Sequence, residues 1–349
     1  MQKNIDEYIL LETKDKERWN TIVKSFDYDV FYLCEYAKAF ELEWKEKAYL
    51  FYYNVGSTRA INVFFKRDIS ECDKLKNKLK RQTFFDITSQ YGYGGFIVEG
   101  EEIEKVNNSF IECMNENNII SEIVRFGLEN KYKEKYYGEI KNVKFNVVRN
   151  ILEPEQMFYD FEYKVRKNIN KAKRNNLKID IDYTGKTLND FLDVYYDTMD
   201  RNNAEKEYYF SKNFFKTLFE MSENVVIFNV LYEENIISTE LVLYDKNNCY
   251  SFLGGTLKEY YSLRPNEFLK FEIMKWAYEK NISKFILGGG YTNSLDDGIL
   301  RYKKSFSPND ELVSFYIGKK VFNKDTYEKL VELRKGENLD ENFFPRYRA

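Results

Sequence analysis

The sequence contains no histidine in 349 residues. Ser-His-Asp and Cys-His nucleophilic machinery is therefore excluded, as is every histidine-dependent metal centre. Proton transfer, if the chain is an enzyme, falls to carboxylates, lysine, tyrosine, the backbone or groups of the substrate. Cysteine is also scarce. Cys34, Cys72, Cys113 and Cys249 lie far apart and form no C-x-x-C pair, which argues against zinc or a disulfide framework and for reduced core thiols. The N-terminal stretch "MQKNIDEYILLETKDKERW" lacks the long apolar segment of a signal peptide or membrane span, so a cytoplasmic protein without a transmembrane segment is expected. No charge excess exists either: 54 basic against 57 acidic residues argue against a general nucleic-acid binder and leave only local patches. Four prolines and no Ser/Pro/Gly tract interrupt a chain that is 43% hydrophobic and 32% charged, which reads as globular and, at this length, as two domains. The 30 tyrosines and 29 phenylalanines support no single inference.

What is present is a repeated order. Residues 48–67, "AYLFYYNVGSTRAINVFFKR", read as strand, turn at Asn54-Val55-Gly56, strand; residues 225–245 read the same way, with Glu233-Glu234-Asn235 at the turn. Residues 101–127 give an amphipathic helix, an Asn-rich stop and a β-branched strand, and residues 266–288 repeat helix, stop at Lys280-Asn281 and strand. A helix followed by a strand implies a parallel crossover onto a sheet begun as an antiparallel meander. The expectation is an α/β protein with two mixed sheets, domains at 1–150 and 151–349, and a seam near Asn150 to Pro154.

Three consecutive glycines, Gly288 to Gly290, follow a short apolar run in "FILGGGYTNSLDDGILRYKKSF" (285–306). A phosphate loop requires Gly-Lys-Ser/Thr directly after its glycines, and Lys303 and Lys304 come too late. The glycines read instead as a sharp turn or a close backbone approach. In the run 163–175, Lys164, Lys167, Lys171 and Arg174 form one cationic stripe, and Val165, Ile169 and Ala172 form the buried one. Such a row meets a nucleotide-linked precursor, a tRNA acceptor stem or an anionic lipid head group, or is simply solvated. Glu207, Asp296 and Asp297 are the carboxylates open to acid–base work, and none has a clear claim.

Together these stretches resemble the FemAB-like acyltransferases, which are tandem proteins of the GNAT (acyl-CoA N-acyltransferase) fold, and the related acetyltransferase-like domains associated with polysaccharide synthesis. The resemblance rests on "YKVRKNINKAKRNNLKI" (163–179), "YYDTMDRNNAEKEYYFSKNFF" (195–215), "LGGGYTNSLDDGILRYKKSF" (287–306) and, in the first half, "DITSQYGYGGF" (86–96). It implies two tandem GNAT-like domains with the principal site in the second. It also implies catalytic roles for Lys303, as stabiliser of a developing oxyanion, and for Tyr302. Acceptor contacts fall to Arg201, Tyr208, Tyr209, Gly289, Gly290 and Tyr291, with Tyr91, Tyr93 and Lys38 from the first half. Donor contacts fall to Lys167 and Lys171, or to Arg264 and Asn266.

One departure bears on the donor. Acetyl-CoA enzymes of this fold resemble one another in a glycine-bearing loop before the long helix, and "YYSLRPNEFLK" (260–270) contains no glycine. The implied activity is formation of an amide between an aminoacyl donor and an amine on a nucleotide- or lipid-linked cell-envelope precursor. The alternatives are acetyl-CoA-dependent N-acetylation of an amino sugar in surface polysaccharide synthesis, and a non-catalytic carbohydrate- or nucleotide-binding protein. No tightly bound cofactor and no metal is implied, and the co-substrate is aminoacyl-tRNA or acetyl-CoA. The implied partners are the sugar precursor, tRNA for the first donor, and peripheral contact with the inner membrane surface for a lipid-linked acceptor.

Overall fold

The computed structural model describes residues 7–349. They form two compact units, one of residues up to 143 with 315–349 and one of residues 144–314. The first unit carries β1 (Tyr8–Glu12), α1 (Lys16–Val23), α2 (Cys34–Trp44), β2 (Lys47–Val55), β3 (Thr58–Asp68), β4 (Phe85–Thr88), β5 (Ile97–Glu99), α3 (Ile103–Glu116) and β6 (Ile119–Arg125). Strand β7 (Glu139–Asn150) leads into the second unit, which carries α4 (Pro154–Asp160), α5 (Tyr163–Arg174), β8 (Lys178–Asp182), α6 (Leu188–Arg201), α7 (Lys212–Leu218), β9 (Val225–Tyr232), β10 (Asn235–Tyr244), β11 (Asn248–Thr256), α8 (Pro265–Glu279), β12 (Lys284–Gly289) and α9 (Gly298–Lys304). The chain ends with β13 (Val313–Val321) and α10 (Lys324–Glu332) back in the first unit.

Each unit is a mixed sheet with helices, and the repeat is longer than the sequence pattern suggested. Strand, two helices, hairpin, strand, helix, strand occurs once as β1 to β6, with β5 as an added pairing on β3, and once as β8 to β12. The pairings match step by step. β1–β2, β2–β3 and β3–β4 are antiparallel and β4–β6 is parallel; β8–β9, β9–β10 and β10–β11 are antiparallel and β11–β12 is parallel. The second hairpin turns on Glu233 and Glu234 with φ of 50° and 65°, the left-handed pair that a two-residue turn needs to follow strand twist.

The strand that follows each repeat pairs outside it. β7, next in the chain after β6, pairs antiparallel with β12 from Asn150↔Lys284 to Asn146↔Gly289. β13, next after the second repeat, pairs antiparallel with β6 from Ile317↔Arg125 to Val321↔Ser121. The expected division at 150/151 is corrected on this ground: residues 315–349 belong with the first unit and 144–150 with the second. Sequence order cannot reveal an exchanged strand, because the apolar pattern of a strand does not name its neighbour.

In the second unit α5 and α8 pack against each other. Val165, Ile169 and Ala172 are buried on α5, as their spacing predicts, and meet a core containing Phe268, Phe271 and Met274 of α8. Burying each Val or Ile contributes about 1.5–3 kcal/mol. Asn168, also buried on that face, donates to Glu267 of α8 at 2.7 Å and fixes the pair in register. The cationic side of α5 is thereby turned to solvent: Lys164, Lys167, Lys171 and Arg174 are all exposed.

Candidate functional site

Strands β11 and β12 are paired over only three rungs, Asn248↔Lys284, Cys249↔Phe285 and Tyr250↔Ile286. Beyond Tyr250, β11 keeps β10 as its partner, and beyond Ile286 a bulge carries β12 along β7. The parallel ladder thus splits, leaving a wedge between two strand ends. The three glycines stand at its β12 lip, each for a different neighbour. Gly288 has φ of 82°, and a Cβ there would lie 3.3 Å from Lys303 Nζ. A Cβ at Gly289 would lie 2.7 Å from the Phe145 carbonyl oxygen, and one at Gly290 would lie 2.5 Å from Asp297 Oδ1. Close approach, rather than phosphate binding, accounts for the run.

Helix α9 delivers the next two groups. Asp297 caps it, accepting from the amides of Ile299 and Leu300, while its other oxygen accepts from the amide and hydroxyl of Thr292. Those hydrogen bonds hold its carboxyl well below the usual range, so Asp297 anchors the helix and has no lone pair positioned to take a proton. Lys303, in the last turn of α9, donates to the Gly289 carbonyl at 2.8 Å. Burial first, then the Lys270 charge, pushes its pKa down to about 8; Lys144 adds to the fall and Glu240 and Asp297 oppose it. Tyr302 sets its ring edge-on to Phe306 at 5.3 Å, and its hydroxyl is buried without a hydrogen-bond partner among the described residues. Burial, reinforced by Glu267 and Glu240, keeps it a phenol.

On the β11 lip stands a group the sequence reading missed. Lys270 of α8 donates to both carboxylate oxygens of Glu240 on β10, each at 2.6 Å, and to Ser251 Oγ on β11 at 2.7 Å. The side chains are 12% and 6% exposed. The Lys303 ammonium at one lip can hold the oxygen of a carbonyl as it gains negative charge, whereas Lys270, its three N–H groups committed to Glu240 and Ser251, contributes only its charge.

Residues 160–304 match the family described as an acetyltransferase (GNAT) domain. That part of the chain carries a GNAT domain. The fold of the chain over nearly its whole length is that of FemX, with a TM-score of 0.65 at 14% identity, covering 93% of this chain and 99% of that one. The C-terminal domain of a protein described as a lysylphosphatidylglycerol synthetase from Agrobacterium fabrum gives 0.54 at 11% identity, covering 90% and 93%. L-PGS from Bacillus licheniformis gives 0.54 at 12% identity, covering 92% and 95%. Comparison of the sequence with curated proteins gives no match.

Within this GNAT domain the remaining expected residues sit as follows. Gly289, Gly290 and Lys303 come together at the split, and Tyr302 precedes Lys303 on α9 with its buried hydroxyl under the influence of Glu267 and Glu240. Tyr291 follows Gly290 directly and is 80% exposed. Arg201 ends α6, where its guanidinium pairs with Asp197, donates to Thr198 Oγ1 at 3.2 Å and to the Thr256 carbonyl at 3.0 Å, and lies 5.4 Å over the Tyr261 ring. It therefore ties α6 to the end of β11, close to a polar group in which the Ser238 and Thr256 hydroxyls share a hydrogen bond of 2.6 Å and both lie within reach of Asn266 Oδ1. Tyr208 is exposed, and Tyr209 donates to Asp200 at 2.9 Å. Arg264 is exposed with φ of 66°, and Pro265 follows it as the first residue of α8. Proline contributes no N–H to a helix N-terminus, so one donor of an anion cradle is missing there. Glu207 and Asp296 are exposed.

Tyr91, Tyr93 and Lys38 belong to the first unit. The 89–93 loop bulges out of the β4–β6 ladder and re-enters it where Gly94 bridges Phe126. Tyr91 stacks on Phe40 of α2 at 5.7 Å and accepts at its carbonyl from Tyr36, while Tyr93 meets Phe31 and Phe315 edge-on. Lys38 lies on α2, the helix that carries Tyr36 and Phe40.

Proposed function

We propose that the protein transfers an aminoacyl group from aminoacyl-tRNA to an amine on a nucleotide- or lipid-linked cell-envelope precursor. The observation that carries the donor is the exposed face of α5. Lys164, Lys167, Lys171 and Arg174 make no ion pair or side-chain hydrogen bond among the described residues. Four uncommitted cations on one helix face, in a chain of net charge −3, suit a phosphate backbone. Pro265 and the absence of glycine at the start of α8 favour a donor other than acetyl-CoA. A lysylphosphatidylglycerol synthetase among the structural neighbours supports an aminoacyl group and an envelope lipid as the class of product.

In this reading the neutral acceptor nitrogen attacks the ester carbonyl and forms the C–N bond. The Lys303 ammonium holds the oxygen as it becomes negative, with the Tyr302 hydroxyl beside it. The C–O bond to the ribose then breaks, and the proton lost by nitrogen ends on the leaving ribose oxygen. A lysine whose pKa is pushed down to about 8 is still charged at pH 7 and donates more strongly than an ordinary lysine, which suits it to hold the developing oxyanion.

The test offers aminoacyl-tRNA and acetyl-CoA side by side to the protein with UDP-linked and lipid-linked amino acceptors. Amide formation from aminoacyl-tRNA alone is the expected result. Transfer from acetyl-CoA alone assigns the chain to N-acetylation, and no transfer from either donor with the fold intact leaves a binding protein.

A further inference from the structure

We propose that the buried Lys270–Glu240 pair is a positioning device for acyl transfer, setting the charge of the Lys303 ammonium across the split between β11 and β12. The inference rests on the acyltransferase reading of Lys303 and extends it to residues outside any motif.

The placement is the first argument. Ser251 is the first residue of β11 beyond the last rung with β12, and Lys270 is tied to it and to Glu240 by three short hydrogen bonds. Lys303 is tied to Gly289 on the opposite strand. One ammonium is thus fixed at each lip. The second argument is energetic. A buried ion pair contributes little net stability beyond what apolar residues of the same size would give, since desolvation offsets most of the attraction. Core packing alone does not call for a lysine on α8 facing a glutamate on β10. The third is the field. The charged groups that face Lys303 are Lys270 from α8, Glu240 from β10, Lys144 from β7 and Asp297 at the cap of α9. Asp297 is committed to four hydrogen bonds. Lys270 has the largest effect of the four, and Glu240 holds Lys270 in place while opposing it.

The pair therefore makes Lys303 adjustable. Lys270 repels the Lys303 proton, and Glu240 limits that repulsion so that the ammonium stays charged near neutral pH. Removing either partner should move Lys303 in a known direction. With Glu240→Gln the repulsion is unopposed and the proton leaves at lower pH. With Glu240→Gln and Lys270→Met together the repulsion is gone as well and the proton is held to higher pH than in the single variant. Lys270→Met alone leaves a buried carboxylate unpaired and Glu240→Gln alone a buried ammonium, so circular dichroism checks the fold of each variant, and the double variant, which leaves neither charge, carries the Lys270 arm.

The measurement is the pH dependence of Lys303 labelling by acetic anhydride, read by mass spectrometry of the peptide that carries it. Only the neutral amine reacts, so the midpoint reports proton release without reference to any enzymatic activity. The wild type should give a midpoint near 8. Glu240→Gln should lower it by roughly one pH unit, the scale of removing one nearby opposite charge. The double variant should lie above the single one, and the alkaline limb of kcat should follow both. Midpoints that coincide in all three proteins overturn the inference. Midpoints that move as stated without transfer from any donor leave the coupling of the pair to Lys303 standing and overturn its role in acyl transfer together with the acyltransferase reading. Transfer with unmoved midpoints does the reverse.

Discussion

Replacing Lys303 by methionine should slow the reaction and stabilise the protein at once. Loss of one donor to a developing oxyanion costs about 10²–10³ in kcat, or roughly 2.7–4 kcal/mol of transition-state stabilisation, with little change in KM. The stability change follows from burial. Lys303 releases its proton at about 8 in the folded protein against an ordinary 10.5, which corresponds to roughly 3 kcal/mol of unfavourable charge burial below pH 8. The hydrogen bond to the Gly289 carbonyl is lost, which returns about 1 kcal/mol and leaves an acceptor less well satisfied. The net gain for the variant at pH 7 is therefore on the order of 1–2 kcal/mol. Its sign can be tested twice. Between pH 8 and 10.5 the unfolded chain binds more protons at Lys303 than the native one, so wild-type stability rises through that window and the advantage of the variant disappears. Denaturant unfolding of both proteins at pH 7 and pH 10, together with kcat and KM from pH 6 to 9.5, gives all the quantities. The wild-type kcat should fall above pH 8. A variant that keeps its kcat and loses more than about 1 kcal/mol would make Lys303 a packing residue and refute the reasoning.

Asp86 of β4 is buried and receives Arg67 at 2.7 Å, Tyr347 at 2.9 Å and Arg348 at 2.6 Å. Burial raises its pKa and the two guanidinium groups more than offset this, so the stability it provides is present at neutral pH and fades as acid protonates it. Asp86→Asn should cost about 3–5 kcal/mol, and limited proteolysis should begin at the C-terminal residues that lose their anchor; equal protection of wild type and variant would contradict this. A fragment 151–349 lacks the β7 residues that pair with β12, so it should aggregate, whereas 144–314 should give a cooperative unfolding transition; circular dichroism during thermal unfolding distinguishes them. Gly289→Ala should destabilise by roughly 1–3 kcal/mol because its Cβ would meet the Phe145 carbonyl at 2.7 Å, and calorimetry showing no loss would mean that β7 shifts freely.

Much of the fold is legible in the sequence because local periodicity determines it. The spacing of Val165, Ile169 and Ala172 against the lysines predicts both α5 and its buried face. The Glu233-Glu234-Asn235 turn and the helix before Gly288 are equally local signals, and the matched order of the two halves follows from them. The exchanged positions of β7 and β13 are non-local, and no residue in either strand declares its partner. At the site, Lys303 and the glycines are found from the resemblance, whereas Glu240 is a single charge inside an apolar run, "IISTELVLY", and Lys270 is one of three charges in the helical stretch "NEFLKFEIM". The isolation of Glu240 is the signal that was available: a lone charge among core residues needs a partner, which the structure supplies as Lys270. Arg201 shows the opposite error of emphasis, since the chemistry that suits arginine to a phosphate also suits it to the helix-to-strand tie it makes here.

The donor is the central claim, and equilibrium binding at several salt concentrations tests it most directly. A stable amide-linked aminoacyl-tRNA and acetyl-CoA are titrated in parallel against the wild type and a Lys167→Gln, Lys171→Gln double variant. Each phosphate contact contributes a slope of about −0.7 to −0.9 in log K against log salt. The account predicts that the tRNA binds with a steep slope and that the double variant weakens binding and flattens the slope by up to two contacts. Tight acetyl-CoA binding that falls with Arg264→Ala and ignores the α5 variant, with no affinity for the tRNA, would contradict it.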